Sequence, residues 1–305
     1  MIYWLYLKTR DGVESLFQNC YYFTYVKEAY TPYTMFNAVI YAENLPDDII
    51  EVRLKVGGNI VHHGFIDSYK VITKNGVKKC TLSSRGFTAL LTENQLPPGM
   101  YTNMTFDRLF DEYFTLPNIE HESNALSSYI YVNKGTSMWD GAANLAYKLA
   151  GTYPYIKGSN TVMMTVAEGD RSVVCNTAYA HSYGTEIYTR RMVSNYNMAD
   201  MGGDYGTFSA TSDEAIARGL IRNRHFDLDQ RFLSDPEKAC DYRIMLAERA
   251  YKRHFFTFND YYGEDINDIA VMPDLGRKRI NAIKVTGSKN GIFTEVSVYE
   301  ELAHT

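Results

Sequence analysis

The sequence has 305 residues, 45% of them hydrophobic, which is the size and composition of a globular protein with about two domains. Its 36 acidic and 31 basic residues give a formal net charge of −5, so the chain as a whole lacks the basic field that nucleic-acid-binding proteins use. The 26 tyrosines and 15 phenylalanines favour β-structure and protein contact surfaces over long helices.

Residues 1–98 predict a first β-barrel domain. The apolar N-terminal run is too short for a signal sequence or a membrane span, and it predicts a strand that turns at Asp11-Gly12. Aromatic and β-branched runs at 21–26 and 35–41, on either side of Pro32, predict two more strands.

Three further strands of this domain are expected between Glu51 and Arg85, where apolar and polar residues alternate with the period of a half-buried strand. The turns between them, Gly57-Gly58-Asn59 and Asn75-Gly76, supply the positive φ angles that tight hairpins require. The boundary follows at Pro97-Pro98-Gly99. The residues expected to close one end of the barrel are Phe87, Leu90 and Leu91.

Residues 99–169 predict a small α/β domain. Thr105 is expected to cap a helix that runs to Tyr113, and Ser137 to cap a longer helix that ends at Gly151. A hairpin over residues 153–166 follows.

Residues 170–305 predict a second β-barrel domain with a helical insertion at about 207–254. Capping boxes that begin at Thr211 and at Ser234 predict two helices in this insertion. The strands are expected at 187–196, 255–258, 279–288 and 292–299. The predicted fold class is therefore α+β, mainly β, with two tube-type barrels on either side of the small α/β domain.

No pattern in the sequence indicates a catalytic, cofactor-binding or metal-binding residue. His62 and His63 are adjacent on a predicted strand, so they point to opposite faces and cannot easily ligate one ion. The pair Asp227 and Asp229 lacks the glycine and the terminal glutamate of a calcium loop, and we expect a solvated acidic loop there. The four cysteines have no paired spacing and are expected to be reduced packing residues.

One acidic cluster leaves an alternative open. Glu264 and Asp265 lie beside Tyr261 and Tyr262, and paired carboxylates are the groups that glycoside hydrolases use. With 36 acidic residues such clusters arise freely, so a structural role is the preferred interpretation.

The order of these units resembles the baseplate hub proteins of contractile-tailed phages, prophages and phage-tail-like bacteriocins. The first resemblance is a strand ending in Gly-x-Ile-Asp, a turn, and a polar strand ending in Ser-Arg. The positions that match are Gly64, Ile66, Asp67, Ser84 and Arg85. The Trp139 helix and its hairpin resemble the middle domain of that family, and the run TSDEAIARGLIRNRHF with the final hairpin resembles its last domain. The related tail-tip proteins of long-tailed phages are a close alternative.

The resemblance implies a structural protein, and the missing nucleophile, metal and phosphate-binding motifs predict that it is not an enzyme. It implies a homotrimer whose two barrels per chain form six similar units, joining a hexameric tail tube to a central spike. Its implied partners are further copies of itself, the tail tube protein, the spike protein and other baseplate proteins. DNA would pass the channel without specific binding, and no stable membrane insertion is expected. The implied location is a virion or tail-like particle assembled in the bacterial cytoplasm. The runner-up from another class is a tail-associated carbohydrate-binding or glycan-cleaving protein.

Two expectations about assembly follow. The two β units should superpose as one barrel type, because each is closed by an Asn-Gly hairpin, at Asn75-Gly76 and at Asn290-Gly291. The predicted strand 187–196 is a candidate sheet edge because two arginines interrupt its apolar pattern, and a proline at Val193 is expected to weaken ring formation.

Overall fold

The computed structural model describes residues 3–18, 20–166, 171–232 and 236–300. Two compact units make up the chain: Met1–Tyr183 with Phe256–Ser297, and Gly184–Phe255 with Val298–Thr305. The protein is mainly β, as the sequence predicted. The predicted domain boundaries at 98 and 169 stay a prediction.

The elements follow one another along the chain. The strands in the first part are β1 (Tyr3–Thr9), β2 (Glu14–Phe17), β3 (Tyr22–Glu28), β4 (Met35–Ala42), β5 (Ile49–Val56), β6 (Asn59–Lys74), β7 (Val77–Gly86), β8 (Gly99–Met104), β9 (Glu120–His121), β10 (Ser128–Val132), β11 (Tyr155–Lys157), β12 (Thr161–Met163) and β13 (Ser172–Val174). The later strands are β14 (Ser182–Ile187), β15 (Asn195–Met198), β16 (Phe208–Thr211), β17 (Asn223–Phe226), β18 (Lys252–Asn259), β19 (Ile269–Met272), β20 (Gly276–Arg279), β21 (Ala282–Ser288) and β22 (Gly291–Glu300). The helices are α1 (Leu90–Glu93), α2 (Phe106–Arg108), α3 (Met138–Ala150), α4 (Asp213–Ala217) and α5 (Glu237–Glu248), with short 3-10 turns at Phe87–Ala89, Thr177–Tyr179 and Gln230–Phe232 and a π turn at Leu109–Tyr113.

The first unit is built on a large sheet that curls into a half-barrel. Nine of its strands pair in the order β22-β21-β3-β4-β7-β6-β5-β1-β2. Strands β21 and β3 are antiparallel and in register from Ala282 opposite Glu28 to Ser288 opposite Tyr22. The late hairpin β21–β22 therefore lies in the same sheet as the predicted strands of the first 98 residues. Alternate residues of these strands fill the core, among them Leu5, Leu7, Phe23, Phe36, Ile40, Val52 and Leu54.

The hairpin predictions in this sheet are confirmed. Residues Gly57 and Gly58 have φ angles of 57° and 91°, and Asn75 and Gly76 have 52° and 79°. These left-handed conformations close the β5–β6 and β6–β7 turns. One predicted strand is wrong in its extent, because residues 279–288 divide into the end of β20 and all of β21. The two parts pair with different strands, because Arg279 lies opposite Ile269 of β19, whereas Ala282 lies opposite Glu28 of β3.

The helical predictions for the middle of the chain are confirmed. The Thr105 hydroxyl accepts from the Arg108 N–H, and the Ser137 hydroxyl accepts from the Asp140 N–H, each at 3.0 Å. Helix α3 ends at Gly151, which has a left-handed φ of 68°. On its buried face Trp139 donates its indole N–H to the Tyr153 hydroxyl at 3.1 Å. The predicted hairpin forms as β11 and β12, and β9 adds a parallel strand beside β12.

The second unit contains a three-stranded sheet of order β16-β15-β17 and the helices α4 and α5. The predicted cap of α4 is wrong by one residue. Thr211 is the last residue of β16, and the hydroxyl of Ser212 accepts from the Ala215 N–H at 3.0 Å. The predicted cap of the next helix, Ser234, lies outside the described residues.

The predicted strand 187–196 is wrong. Strand β14 ends at Ile187 and β15 begins at Asn195, and the residues between them form a turn. The guanidinium of Arg222 donates there to the carbonyl oxygens of Thr189, Arg190 and Met192 at 2.8, 3.1 and 3.0 Å, so these groups need no neighbouring strand. Val193 is buried, and it is not at a sheet edge.

The four cysteines are free thiols and are buried, which confirms their packing role. None of the helices in the described ranges is both long and apolar enough to cross a membrane.

Candidate functional site

The five residues that carried the family resemblance meet at one place in the first unit, where β6 passes the end of β5. The β6–β7 register runs from Gly64 opposite Gly86 to Ile66 opposite Ser84, and then shifts so that Ser68 lies opposite Ser83. Asp67 is therefore the extra residue of a β-bulge, a feature that bends a strand and redirects a side chain.

The redirected carboxylate of Asp67 binds Arg85. The Arg85 guanidinium donates from Nε and from Nη2 to Asp67 at 2.7 to 3.0 Å, and its Nη2 also pairs with Glu93 at 2.7 Å. Because bidentate arginine–carboxylate pairs are among the stronger hydrogen bonds in proteins, this contact holds the bulge in one geometry.

Gly64 is required because β6 and β7 approach each other closely at this position. A Cβ atom at this position would lie 2.1 Å from the Arg85 carbonyl oxygen and 2.8 Å from Nε2 of His62. The neighbouring atom is backbone, so it cannot move aside cheaply. The glycine in the motif thus reflects packing, because it lets β6 lie this close to β7.

His62 lies in the core beneath the contact between Gly64 and Arg85. Its side chain is 0% exposed, its Nδ1 is 2.9 Å from the Thr34 hydroxyl, and its Nε2 is 2.9 Å from the Ser84 hydroxyl. Burial, with a smaller contribution from His63, lowers the pKa of His62 to about 3, so the ring is neutral. His63 faces the other way and pairs with Glu51 at 2.8 Å. The two side chains therefore point to opposite faces of β6, as predicted.

Beyond the bulge β6 and β7 form an arm, which we define as Ser68–Lys74 of β6 together with Val77–Thr81 of β7. The β6 part is exposed, and the β7 part also pairs with β4 from Lys78 onward. Strand β5 pairs with β6 only as far as Phe65, and in the described part of the chain no strand pairs with the outer edge of Ser68–Lys74. The arm also exposes large apolar side chains: Tyr69, Val71, Ile72 and Val77.

The arm is also basic. Four lysines occur between Ser68 and Ser84, and no acidic residue does, although the chain as a whole is acidic. The lysines are Lys70, Lys74, Lys78 and Lys79. An unpaired strand edge with exposed apolar side chains is a template for a second chain, and lysines on such an edge limit pairing with wrong partners.

A second cluster, which the sequence did not reveal, surrounds Lys27 in the first unit. Its side chain is 3% exposed, and its Nζ donates to Asp265 and to the Gly158 carbonyl at 2.8 Å. Asp265 also accepts from the N–H groups of Gly158 and Ile266, both at 2.7 Å. Burial lowers the pKa of Lys27, and the charge of Asp265 opposes this effect. The signal in the sequence was weak: Lys27 continues the inward face of Phe23 and Tyr25.

The acidic cluster around Glu264 is part of the same loop. Glu264 is buried, accepts from the Tyr262 N–H at 3.0 Å, and has a pKa that burial raises. Tyr261 donates its hydroxyl to the Glu264 carbonyl at 3.1 Å. Since Asp265 is bound to Lys27, both carboxylates have structural partners. This supports the structural interpretation of the cluster over a glycosidase pair.

The predicted solvated loop at Asp227 and Asp229 is wrong for Asp229. Its side chain is 8% exposed and pairs with Arg231 at 2.7 Å and Arg243 at 3.3 Å, so two guanidinium groups compensate the buried charge. Within the residues that the structure covers, no group of three His, Cys, Asp or Glu side chains is placed to hold a metal ion. The predicted lack of catalytic, cofactor and metal residues stays a prediction.

Several solved structures share this fold. The 43 kDa tail protein of prophage MuSo2 from Shewanella oneidensis has a TM-score of 0.71 at 15% identity, with 97% of this chain and 98% of that chain covered. A tail protein from Neisseria meningitidis MC58 has a TM-score of 0.68 at 14% identity, with 98% and 96% covered. No protein family model and no curated protein matches the sequence.

A third structure connects the fold to a secretion system. The E. coli c3393 protein is described as a component of the type VI secretion system with structural similarity to the T4 bacteriophage tail proteins gp27 and gp5. It has a TM-score of 0.56 at 8% identity, with 94% of this chain and 74% of that chain covered. The chain therefore has the fold of phage tail and baseplate proteins, and the predicted resemblance to the baseplate hub family is confirmed at the level of the fold.

Proposed function

We propose that the protein is the structural baseplate hub of a phage tail or of a tail-like injection particle. In this proposal three copies form a ring with two barrel-type units per chain, and the ring joins the hexameric tail tube to the central spike. Its partners are the tube protein, the spike protein and other baseplate proteins. DNA passes through the ring without specific binding. The particle is assembled in the bacterial cytoplasm.

The observation that carries the proposal is the arm beyond Asp67. A soluble protein rarely leaves a long strand edge unpaired, because such an edge recruits other chains. Closed cyclic symmetry pairs every such edge and stops the growth of an open filament. The similarity to prophage tail proteins over nearly the whole chain supports a tail assembly as the place where this pairing occurs.

We expect the change of Val71 and Ile72 to glutamate to prevent ring formation without unfolding the chain. These side chains are 40% and 50% exposed, so they contribute little to the monomer core. Light scattering after size-exclusion chromatography measures the mass, and far-UV circular dichroism measures the fold. The matched control is Val174→Glu, a change at another exposed valine of the first unit, 71% exposed, which should leave the mass unchanged. Assembly of the double variant at the parent mass would contradict a role for the arm.

We further propose that the protein is not an enzyme. Incubation with purified peptidoglycan and with common glycans is expected to release no product, because the carboxylates of Glu264 and Asp265 have structural partners. Turnover that disappears in both Glu264→Gln and Asp265→Asn, in variants that still fold, would support the glycan-cleaving alternative instead. The solved structures that share this fold lend that alternative no support.

A further inference from the structure

The second unit has a groove on one face of its small sheet. The groove has a volume of about 570 Å³, within the range of about 300–1,000 Å³ that is usual for ligand sites. Its floor is polar, and in-register neighbours of three strands supply it: Thr211, Asn195 and Asn223 form one row, and Asn197 and His225 lie in the next. Its wall is apolar and formed by Ile216, Leu220 and Ile221.

Ile221 is 85% exposed and Ile216 is 54% exposed. Burial of apolar side chains is the main favourable contribution to association. The groove lining contains no aspartate, glutamate, lysine or arginine, so an occupant of the groove itself has apolar or neutral side chains.

The groove runs along an open strand edge. Strand β17 pairs only with β15 among the described residues, and the carbonyls of Arg222 and Phe226 accept from the Asn195 and Ala199 N–H groups on that side. In a parallel ladder alternate residues bond to the same neighbour, so the backbone groups of the intervening residues Asn223 and His225 point to the free edge.

Arg224 places a positive charge on this edge, which favours an acidic residue on an added strand. It lies between the two groove-facing residues, so its side chain projects to the opposite face of the sheet. It is exposed, its neighbour on β15 is the uncharged Tyr196, and no acidic side chain of the described ranges pairs with it. Directly opposite residues on neighbouring strands attract when their charges are opposite.

We propose that β17 is the docking site for an extended segment of a partner protein with the pattern apolar, acidic, apolar. The segment adds a strand beside β17. Its two apolar side chains enter the groove against Ile216 and Ile221, and its acidic side chain lies beside Arg224. This site belongs to the second unit alone, so it does not depend on the arm or on ring formation.

The test is a titration of the ¹⁵N-labelled protein with two peptides, acetyl-Ser-Val-Glu-Ile-Ser-amide and the same peptide with lysine in place of glutamate. We expect saturable shifts of the Asn223 and His225 amides with the glutamate peptide, and affinity about tenfold lower for the lysine peptide. In Arg224→Glu the preference should reverse.

Two further variants test whether the apolar wall of the groove contributes to peptide binding. Ile221→Asp should weaken both peptides, whereas Ile187→Asp, at an exposed isoleucine outside the groove, should weaken neither. No saturable binding of either peptide, or equal binding that Arg224→Glu does not alter, would overturn the proposal. Shifts of the same amides by maltotriose but not by the peptides would also overturn it, in favour of a saccharide site.

Discussion

Replacing Lys27 with methionine is expected to lower the free energy of unfolding by about 3–5 kcal/mol, the usual cost of removing one partner of a buried ion pair. The reason is the carboxylate of Asp265, which would keep its two backbone donors but lose the only cation that an ion pair gives it in the described part of the chain. Urea unfolding, monitored by circular dichroism, measures the difference in the free energy of unfolding between Lys27→Met and the wild type.

Two variants serve as controls. Lys8→Met removes a lysine whose side chain is 41% exposed and pairs with Glu51 at 3.1 Å, so its cost should be about 0–1 kcal/mol. The double change Lys27→Met and Asp265→Asn should cost less than Lys27→Met alone, because no uncompensated carboxylate remains. A loss of about 1 kcal/mol or less for Lys27→Met would mean that the pair is not a principal support of the first unit.

Acidification is expected to destabilise the protein through His62. The folded-state pKa of about 3 lies below the ordinary value of 6.5, so between these values the unfolded state binds a proton that the folded state does not. The stabilisation is thus complete above pH 6.5 and is lost as the pH falls toward 3. The slope is about 1.4 kcal/mol for each pH unit in that window.

His62→Gln isolates this effect, because glutamine can hydrogen-bond to Thr34 and Ser84 but does not titrate. Between pH 6.5 and pH 4 the wild-type protein should lose about 3 kcal/mol more than this variant, measured by urea midpoints at each pH. His63→Gln is the matched control, since His63 lies on the opposite face of β6. In this variant the free energy of unfolding should keep the wild-type dependence on pH. If the free energy of unfolding fell with pH to the same extent in wild type and in His62→Gln, protonation of His62 would not destabilise the folded state, and the prediction would be wrong.

For three residues of the family motif, the sequence shows the order along the chain but not the structural role. Gly64, Asp67 and Arg85 were recognised by their order along the chain. Their physical roles, a close backbone approach, a bulge and a bidentate ion pair, required the register of β6 against β7. The arm was likewise predicted as a hairpin, but its free edge depends on where β5 ends.

The error at residues 187–196 has a similar cause. The apolar and β-branched residues there are typical of a strand, and no local signal distinguishes a strand from a buried turn. Arg222, which binds three carbonyl groups of that turn, is about 30 residues away. Its contribution could not be read from the segment itself.

The sequence by itself determined the features that arise within a few residues. The Asn75-Gly76 turn needs only two positive φ angles, and α3 needs only a serine cap and a left-handed glycine at its end. The tertiary structure alone decided that β21 pairs with β3 and that Lys27 binds Asp265, 238 residues later. Such contacts depend on which of many similar strands and charges come together when the core closes, and that choice is made by packing over the whole unit and not by local conformational preference.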